Sequence, residues 1–248
     1  RQMLIVPLFR SYIDALRHKT NVAVKQFRLR ICSPQSGVDP HSTLGGEVYD
    51  AGALRGCASE AEAEVEVILP KGRPFRDAGE LWQISTMPPI RSASGYYINI
   101  FRALIRSYRA APFTILRAHS PYKAAIPILL FSFFHRKVKT FASYLHMEDD
   151  WLSRTISRLV VGKWNVVGVI SEASKQDLSQ KYNADESKIV VTYPGVDESY
   201  FAHLDEEKVN TFRAQQNLQD NFVVLHVGSL IARKNVSFLI DLISELPM

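Results

Sequence analysis

Two histidines, His119 and His146, follow closely on runs of apolar residues at 113–117 and 138–145. If those runs are parallel strands, residues just beyond their carboxyl ends line the crevice where a doubly wound sheet binds its ligand. An imidazole placed there can hold a ligand hydroxyl or exchange a proton near neutral pH. The same edge should gather Ser120 and Tyr122 behind His119, Ser171 and Glu172 beyond the run 166–170, and the pair Gly45-Gly46 beyond the run 27–32. Glycines at such a turn let backbone N–H groups approach an anion closely. Further along, Gly228-Ser229 follow another apolar run, 222–227, and Arg233-Lys234 stand just before a helical pattern. Free N–H groups, a positive helix end and two cations together suit a diphosphate.

Several chemistries lack their signatures. The first turn holds no G-x-G-x-x-G, and the run 65–69 ends in Pro70-Lys71 where an acid for a ribose hydroxyl would be needed, so a dinucleotide domain is disfavoured. There is no Walker-type phosphate loop and no G-x-S-x-G, and neither Cys32 nor Cys57 has an activating arrangement around it. His146 with Glu148, Asp149 and Asp150 could be drawn as a metal site, but consecutive acids at a helix start are ordinary partners of the helix dipole. No metal is expected.

The elements that must position these residues show as alternation. Apolar runs at 27–32, 65–69, 81–85, 113–117, 138–145, 166–170 and 189–192 read as strands. Helical patterns at 47–57, 96–109, 121–134, 151–161 and 173–181 separate them. That series predicts an α/β fold with a doubly wound parallel sheet covered on both faces. Pro194-Gly195 breaks it, a polar, acid-rich stretch runs over 197–220, and the strand 222–227 leading to a helix from about 235 would open a second α/β domain. The expected organisation is an extension or linker at 1–26, a Rossmann-like domain at 27–196, and at 197–248 a linker with the first strand and helix of an incomplete second Rossmann-like domain.

With 248 residues, 46% hydrophobic and 22% charged, the chain has ample material for a packed core. Two cysteines make no disulfide framework, and the apolar run 124–134 is too short to span a bilayer, so a soluble, cytoplasmic protein is expected. Charge is uneven: residues 71–139 carry twelve Lys and Arg against two acids. That points to an anionic partner, although the cations are not organised as a nucleic-acid recognition motif. The pattern 96–108 is a basic amphipathic helix, with Tyr97, Phe101, Leu104, Ile105 and Tyr108 on one side and Arg102, Arg106 and Arg109 on another. Such a helix either packs its apolar face on a core or lies on an anionic membrane surface.

Three segments carry a family resemblance: Gly45-Gly46-Glu47-Val48-Tyr49; the stretch 169–178 continuing to Tyr193-Pro194-Gly195-Val196-Asp197; and the stretch 226–235 around Gly228, Arg233 and Lys234. In these the chain resembles the retaining glycosyltransferases of family four, which have the GT-B architecture of two facing Rossmann-like domains. The resemblance implies transfer of a hexosyl group from a nucleotide-sugar donor to a sugar, polysaccharide or lipid-linked acceptor, without a cofactor. It implies that Gly45 and Gly46 approach the donor phosphate or the acceptor and that His146 contacts the donor sugar as the catalytic histidine. Gly228, Ser229, Arg233 and Lys234 would hold the diphosphate leaving group. His119, Ser120, Tyr122, Ser171 and Glu172 are the acceptor-side candidates. A peripheral position at the cytoplasmic membrane face is compatible with a lipid-linked acceptor.

Two features depart from the family pattern. Ser229 stands where the family often has Arg, which shifts phosphate work onto Lys234, and the donor-binding acidic motif of two spaced glutamates would fall after Met248. Alternatives on the same architecture are a non-catalytic sugar or phosphosugar-binding module and a sugar-nucleotide epimerase. Both ends look cut, so residues 1–248 alone are expected to lack turnover. Radiolabelled nucleotide-sugars checked for transfer by these residues test this, and any transfer would contradict it.

Overall fold

The computed structural model describes residues 29–34, 38–39, 41–42, 45–59, 63–75, 82–90, 92–119, 121–145, 150–195, 201, 205–219, 221–228 and 230–245. The chain divides into two compact units, Arg1–Tyr200 and Phe201–Met248.

The first unit is built on seven strands: β1 (Arg30–Pro34), β2 (Glu64–Pro70), β3 (Gln83–Met87), β4 (Ile115–Ala118), β5 (Lys139–Tyr144), β6 (Val166–Val169) and β7 (Ile189–Val191). They form one sheet in the order β3-β2-β1-β4-β5-β6-β7. Every pairing is parallel. The strand order reverses between β1 and β4, which meet through Ile31↔Ile115 and Cys32↔Leu116. A doubly wound sheet opens its ligand crevice at that switch point.

Helices α1 (Gly45–Ser59), α2 (Ala93–Ala110), α3 (Pro121–Phe134), α4 (Trp151–Val160) and α5 (Glu172–Tyr182) connect the strands. Because strand side chains alternate, each face has its own core. On one face Ile31, Val67, Ile115 and Phe141 pack with Leu54 and Cys57 of α1. On the other, Ile68, Leu116, Ala142 and Val167 pack with Leu104 of α2, Ile128 and Phe131 of α3 and Leu178 of α5. Gly168 has a steric reason: a Cβ there would stand 2.5 Å from Cζ of the buried Phe141 ring.

Side chains start the helices where the sequence supplies acceptors. Ser92 takes the Gly95 N–H at 3.1 Å, Asp150 the Ser153 N–H at 2.8 Å, and Ser171 the Ser174 N–H at 3.1 Å. Asn183, in the left-handed region at φ 54°, ends α5. Next to the β3 edge of the sheet, Glu66 of β2 accepts from Arg30 at 3.0 Å and Ser85 at 2.6 Å and also from Ser107, so one carboxylate ties β1, β2, β3 and α2 together.

Of the two readings open for the apolar face of α2, the structure selects the core: Leu104 is fully buried, and Phe101, Ile105 and Tyr108 pack against the same cluster. In two other places the structure corrects the sequence reading. In the second unit, residues 206–215 of the stretch read as polar and acid-rich form α6 (Glu206–Gln215), capped by Asp205 and closed by Arg213 donating to the carbonyls of Leu218 and Asn221. The expected strand 222–227 does not form. A strand exists only through its ladder, and among the described residues nothing pairs with this exposed segment. A short turn at Ala232–Lys234 then leads into α7 (Val236–Ser244), which exposes Phe238, Ile240 and Leu242. Of the strand 27–32, residues 27 and 28 lie outside the described residues, as does the extension 1–26.

Both thiols are buried, and burial pushes Cys57 from its ordinary 9.0 to about 12, with Cys32 also raised well above its usual range. A thiol whose pKa is raised by folding stabilises the native state below the unfolded value, and that contribution is lost as pH climbs through the folded value. A thiol reagent at about pH 8 should therefore label neither cysteine until the chain is denatured. The denaturation midpoint should fall as pH rises from 9.0 toward about 12.

Candidate functional site

The switch point is occupied by buried charge. Arg117, on β4, has a side chain only 3% exposed, and Asp50, on the second turn of α1, is fully enclosed. Arg117 Nη1 donates to Asp50 Oδ1 and, at 3.3 Å, to Ser33 Oγ of β1. Its Nη2 donates to Ser143 Oγ of β5 at 3.3 Å. One guanidinium thus joins three adjacent strands to the helix above them, a use suited to its planar fork of donors.

His119 follows β4 directly. Its Nδ1 lies 3.2 Å from Asp50 Oδ1, with the ring largely covered. The approach does not align as a hydrogen bond, so Nδ1 is a buried polar atom held beside a carboxylate by proximity. That leaves Nε2, across the ring, as the nitrogen available to a ligand.

The first turn of α1 is pinned to the carboxyl edge of the sheet at several points. A Cβ on Gly46 would sit 3.4 Å from Leu145 Cδ1, just beyond β5, whereas around Gly45 there is open space. Glu47 pairs with Arg73, beyond β2, at 3.1 Å. The Tyr49 and Thr192 hydroxyls, the latter beyond β7, lie 3.0 Å apart. The glycine pair therefore starts a helix whose positive end overlooks the strand ends, with loose N–H groups available to an anion or a sugar hydroxyl.

Among the sequence-derived candidates, Gly45, Gly46 and His119 come together on this edge. Ser171 is there too, but its hydroxyl is engaged in capping α5, and Glu172 is exposed in the following turn. Tyr122 lies in the first turn of α3. Ser120 and His146 lie outside the described residues, and so does Ser229. Of the run 146–150, Asp150 is described: the Ser153 backbone N–H holds its carboxyl below the usual range, a capping role. Among the described residues no three His, Cys, Asp or Glu side chains cluster as metal ligands would.

In the second unit Gly228 adopts φ +155°, with His226 Nε2 3.4 Å and Lys234 Cε 3.9 Å from where a Cβ would stand. His226 Nε2 is buried with no hydrogen-bond partner. Arg233 and Lys234 share the short turn before α7.

Asp50, Arg117 and His226 were missed as site residues by sequence reasoning. A signal existed for the first two. A cation inside a short buried strand needs an anionic partner, and Asp50 is the acid among the small residues of the helix that follows Gly46.

Residues 45–200 match Glycosyltransferase Family 4. The chain belongs to this family. The matched region opens on Gly45 and contains Asp50, Arg117, His119 and Ser143 of the switch-point network, with Ser33 of β1 preceding it. The fold of this family 4 chain is similar to that of Anabaena Alr3699/HepE in complex with UDP and glucose, at 19% identity and a TM-score of 0.65, covering 89% of this chain and 59% of that one. It is also similar to the glycosyltransferase from Rickettsia africae ESF-5, at 16% identity and a TM-score of 0.54, covering 79% of this chain and 51% of that one. The chain thus spans less than two thirds of either structure. No curated protein matches it.

Replacing Arg117 by Met should strand the Asp50 carboxylate without its guanidinium and lower stability by about 3–5 kcal/mol. The double change Arg117→Met with Asp50→Leu should recover much of that loss. Denaturant unfolding of the three proteins measures both effects, and a single variant as stable as the double would contradict the pairing.

Proposed function

We propose that the protein transfers a hexosyl group from a nucleotide-sugar donor to a sugar, polysaccharide or lipid-linked acceptor, with retention of anomeric configuration. The observation that carries this reading is the Family 4 match over residues 45–200, centred on a sheet edge where Gly45, Gly46 and His119 converge. It is supported by the UDP, glucose and UDP-glucose complexes of the structurally similar Anabaena protein.

The chemistry asks for two things. The bond from the anomeric carbon to the diphosphate oxygen must break, with negative charge growing on the leaving nucleoside diphosphate. The acceptor hydroxyl must form the new glycosidic bond and give up its proton, which the leaving phosphate can take. On this reading the first unit is the acceptor side. The α1 N–H groups at Gly45 and Gly46 steady an oxygen of acceptor or donor, and His119 Nε2 holds the acceptor hydroxyl while Asp50 fixes the ring. Ser120, Tyr122, Ser171 and Glu172 complete that side. His146 contacts the donor sugar. Gly228, Ser229, Arg233 and Lys234 receive the diphosphate and stabilise its growing charge. No metal is needed where two cations and a helix end face the diphosphate. The protein works in the cytoplasm, where nucleotide-sugars are made.

The test is a donor and acceptor screen on the full-length protein that follows nucleoside diphosphate release, with the product anomer read by NMR. Release coupled to a product of the donor's anomeric configuration is expected. His119→Ala should lower kcat/KM about ten- to hundredfold, as loss of one polar contact to the reacting group does. Lys234→Ala should lower kcat about a hundredfold or more. Donor binding without turnover would favour a sugar-binding module, and inversion of a sugar carbon without transfer would favour an epimerase.

A further inference from the structure

The second unit encloses a nitrogen for which its own chain supplies no partner. His226 is half-buried, and its Nε2 is covered with no hydrogen-bond partner among the described residues. A polar atom taken out of water and left unpaired is costly. That nitrogen lies 3.4 Å, and Cε1 3.5 Å, from where a Cβ on Gly228 would stand, and Lys234 Cε lies 3.9 Å from the same point. Gly228 has φ +155°, a conformation that side chains rarely adopt, so the bare backbone passes between an imidazole edge and a lysine stem.

The surroundings decide what the nitrogen is for. From Asn221 to Ile240 the sequence has no Asp or Glu, so this stretch offers the ring no carboxylate. What it offers is donors. Lys234 is exposed on the turn Ala232–Lys234, which ends on Asn235 in the left-handed region at φ 47°. Helix α7 then starts without a side-chain cap and without an acid in its first turn, so its first N–H groups lack the usual acceptor. An imidazole N–H beside an ammonium and free backbone N–H groups suits a ligand with several anionic oxygens.

We propose that His226 is a donor-binding residue: its Nε2 carries a proton and donates a hydrogen bond to a phosphate oxygen of the nucleotide-sugar, beside Lys234 and across Gly228. The inference rests on the reading that Gly228 and Lys234 receive the donor's diphosphate, and it adds to that site a residue and a proton position. As the bond to the anomeric carbon breaks, charge grows on the diphosphate and this hydrogen bond strengthens, while the proton stays on the ring.

The full-length protein is titrated by calorimetry with the uridine, guanosine, adenosine, cytidine and thymidine diphosphates and with the parent nucleosides. At least one diphosphate should bind more tightly than its own nucleoside. His226→Leu should weaken that diphosphate about ten- to hundredfold, the range for a hydrogen bond to a charged group, and leave the nucleoside unchanged. His226→Gln sets an amide N–H near the position of Nε2 and should restore most of the loss. In the wild-type protein, long-range proton–nitrogen NMR should find the His226 proton on Nε2, with its signal moving when the diphosphate is added and not when the nucleoside is. Should His226→Leu disturb the unfolding transition, this ring signal decides. Equal diphosphate affinity in wild type and His226→Leu, equal losses for diphosphate and nucleoside, or a ring protonated on Nδ1 alone would overturn the inference. Weakened diphosphate binding by Lys234→Ala would in that case show that the transferase reading stands without His226. If no diphosphate binds the wild-type protein, that reading fails and the inference fails with it.

Discussion

The first unit depends on an ion pair that water does not reach. Asp50 and Arg117 are sequestered where the strand order reverses, with side chains 0% and 3% exposed. Two charges removed from water are tolerable only when each is satisfied by the other and by further polar groups. Here Ser33 and Ser143 supply them from the flanking strands. The consequence is positional: α1 cannot slide over the sheet without breaking the pair, so its first turn stays fixed relative to the ends of β1, β4 and β5. A hydrophobic contact at the same place would hold the helix down without fixing its register so narrowly.

From that constraint the rest of the edge follows. Gly46 is brought against Leu145, Tyr49 against Thr192 and Glu47 against Arg73, so one helix start is tied to the loops beyond three different strands. Asp50 is shared: the carboxylate that neutralises Arg117 also flanks His119. Stability and the candidate chemistry therefore meet in one side chain, and the imidazole inherits its orientation from the fold. The Family 4 match, over residues 45–200, takes in Asp50, Arg117, His119 and Ser143 of this arrangement.

Much of the fold was legible in the residues because local pattern and burial agree there. Helix 121–134 and strand 166–169 fall where their runs of residues place them, and the parallel sheet follows from their alternation. Helix α1 begins at Gly45 rather than Glu47 because the glycine pair forms its first turn. What could not be read was whatever depends on partners distant in sequence. Arg117 meets an acid 67 residues earlier, a pairing that only the strand order creates. Residues 222–227 have the composition of a strand but no ladder among the described residues. Helix α6 was hidden because its few apolar residues, such as Val209 and Phe212, remain exposed and make no clear stripe. The site was legible in part: Gly45, Gly46 and His119 were readable from strand ends, whereas their common support, Asp50, was not.

The central claim is that the buried pair orients His119, with Nδ1 toward Asp50 and Nε2 left for a ligand. Long-range proton–nitrogen NMR on the His119 side chain in the full-length protein reads this directly, because it reports which ring nitrogen carries the proton in the neutral form. The account predicts the Nδ1–H tautomer, with the carboxylate beside it favouring a proton on that nitrogen. A predominant Nε2–H tautomer would contradict it, since Asp50 would then not be setting the ring.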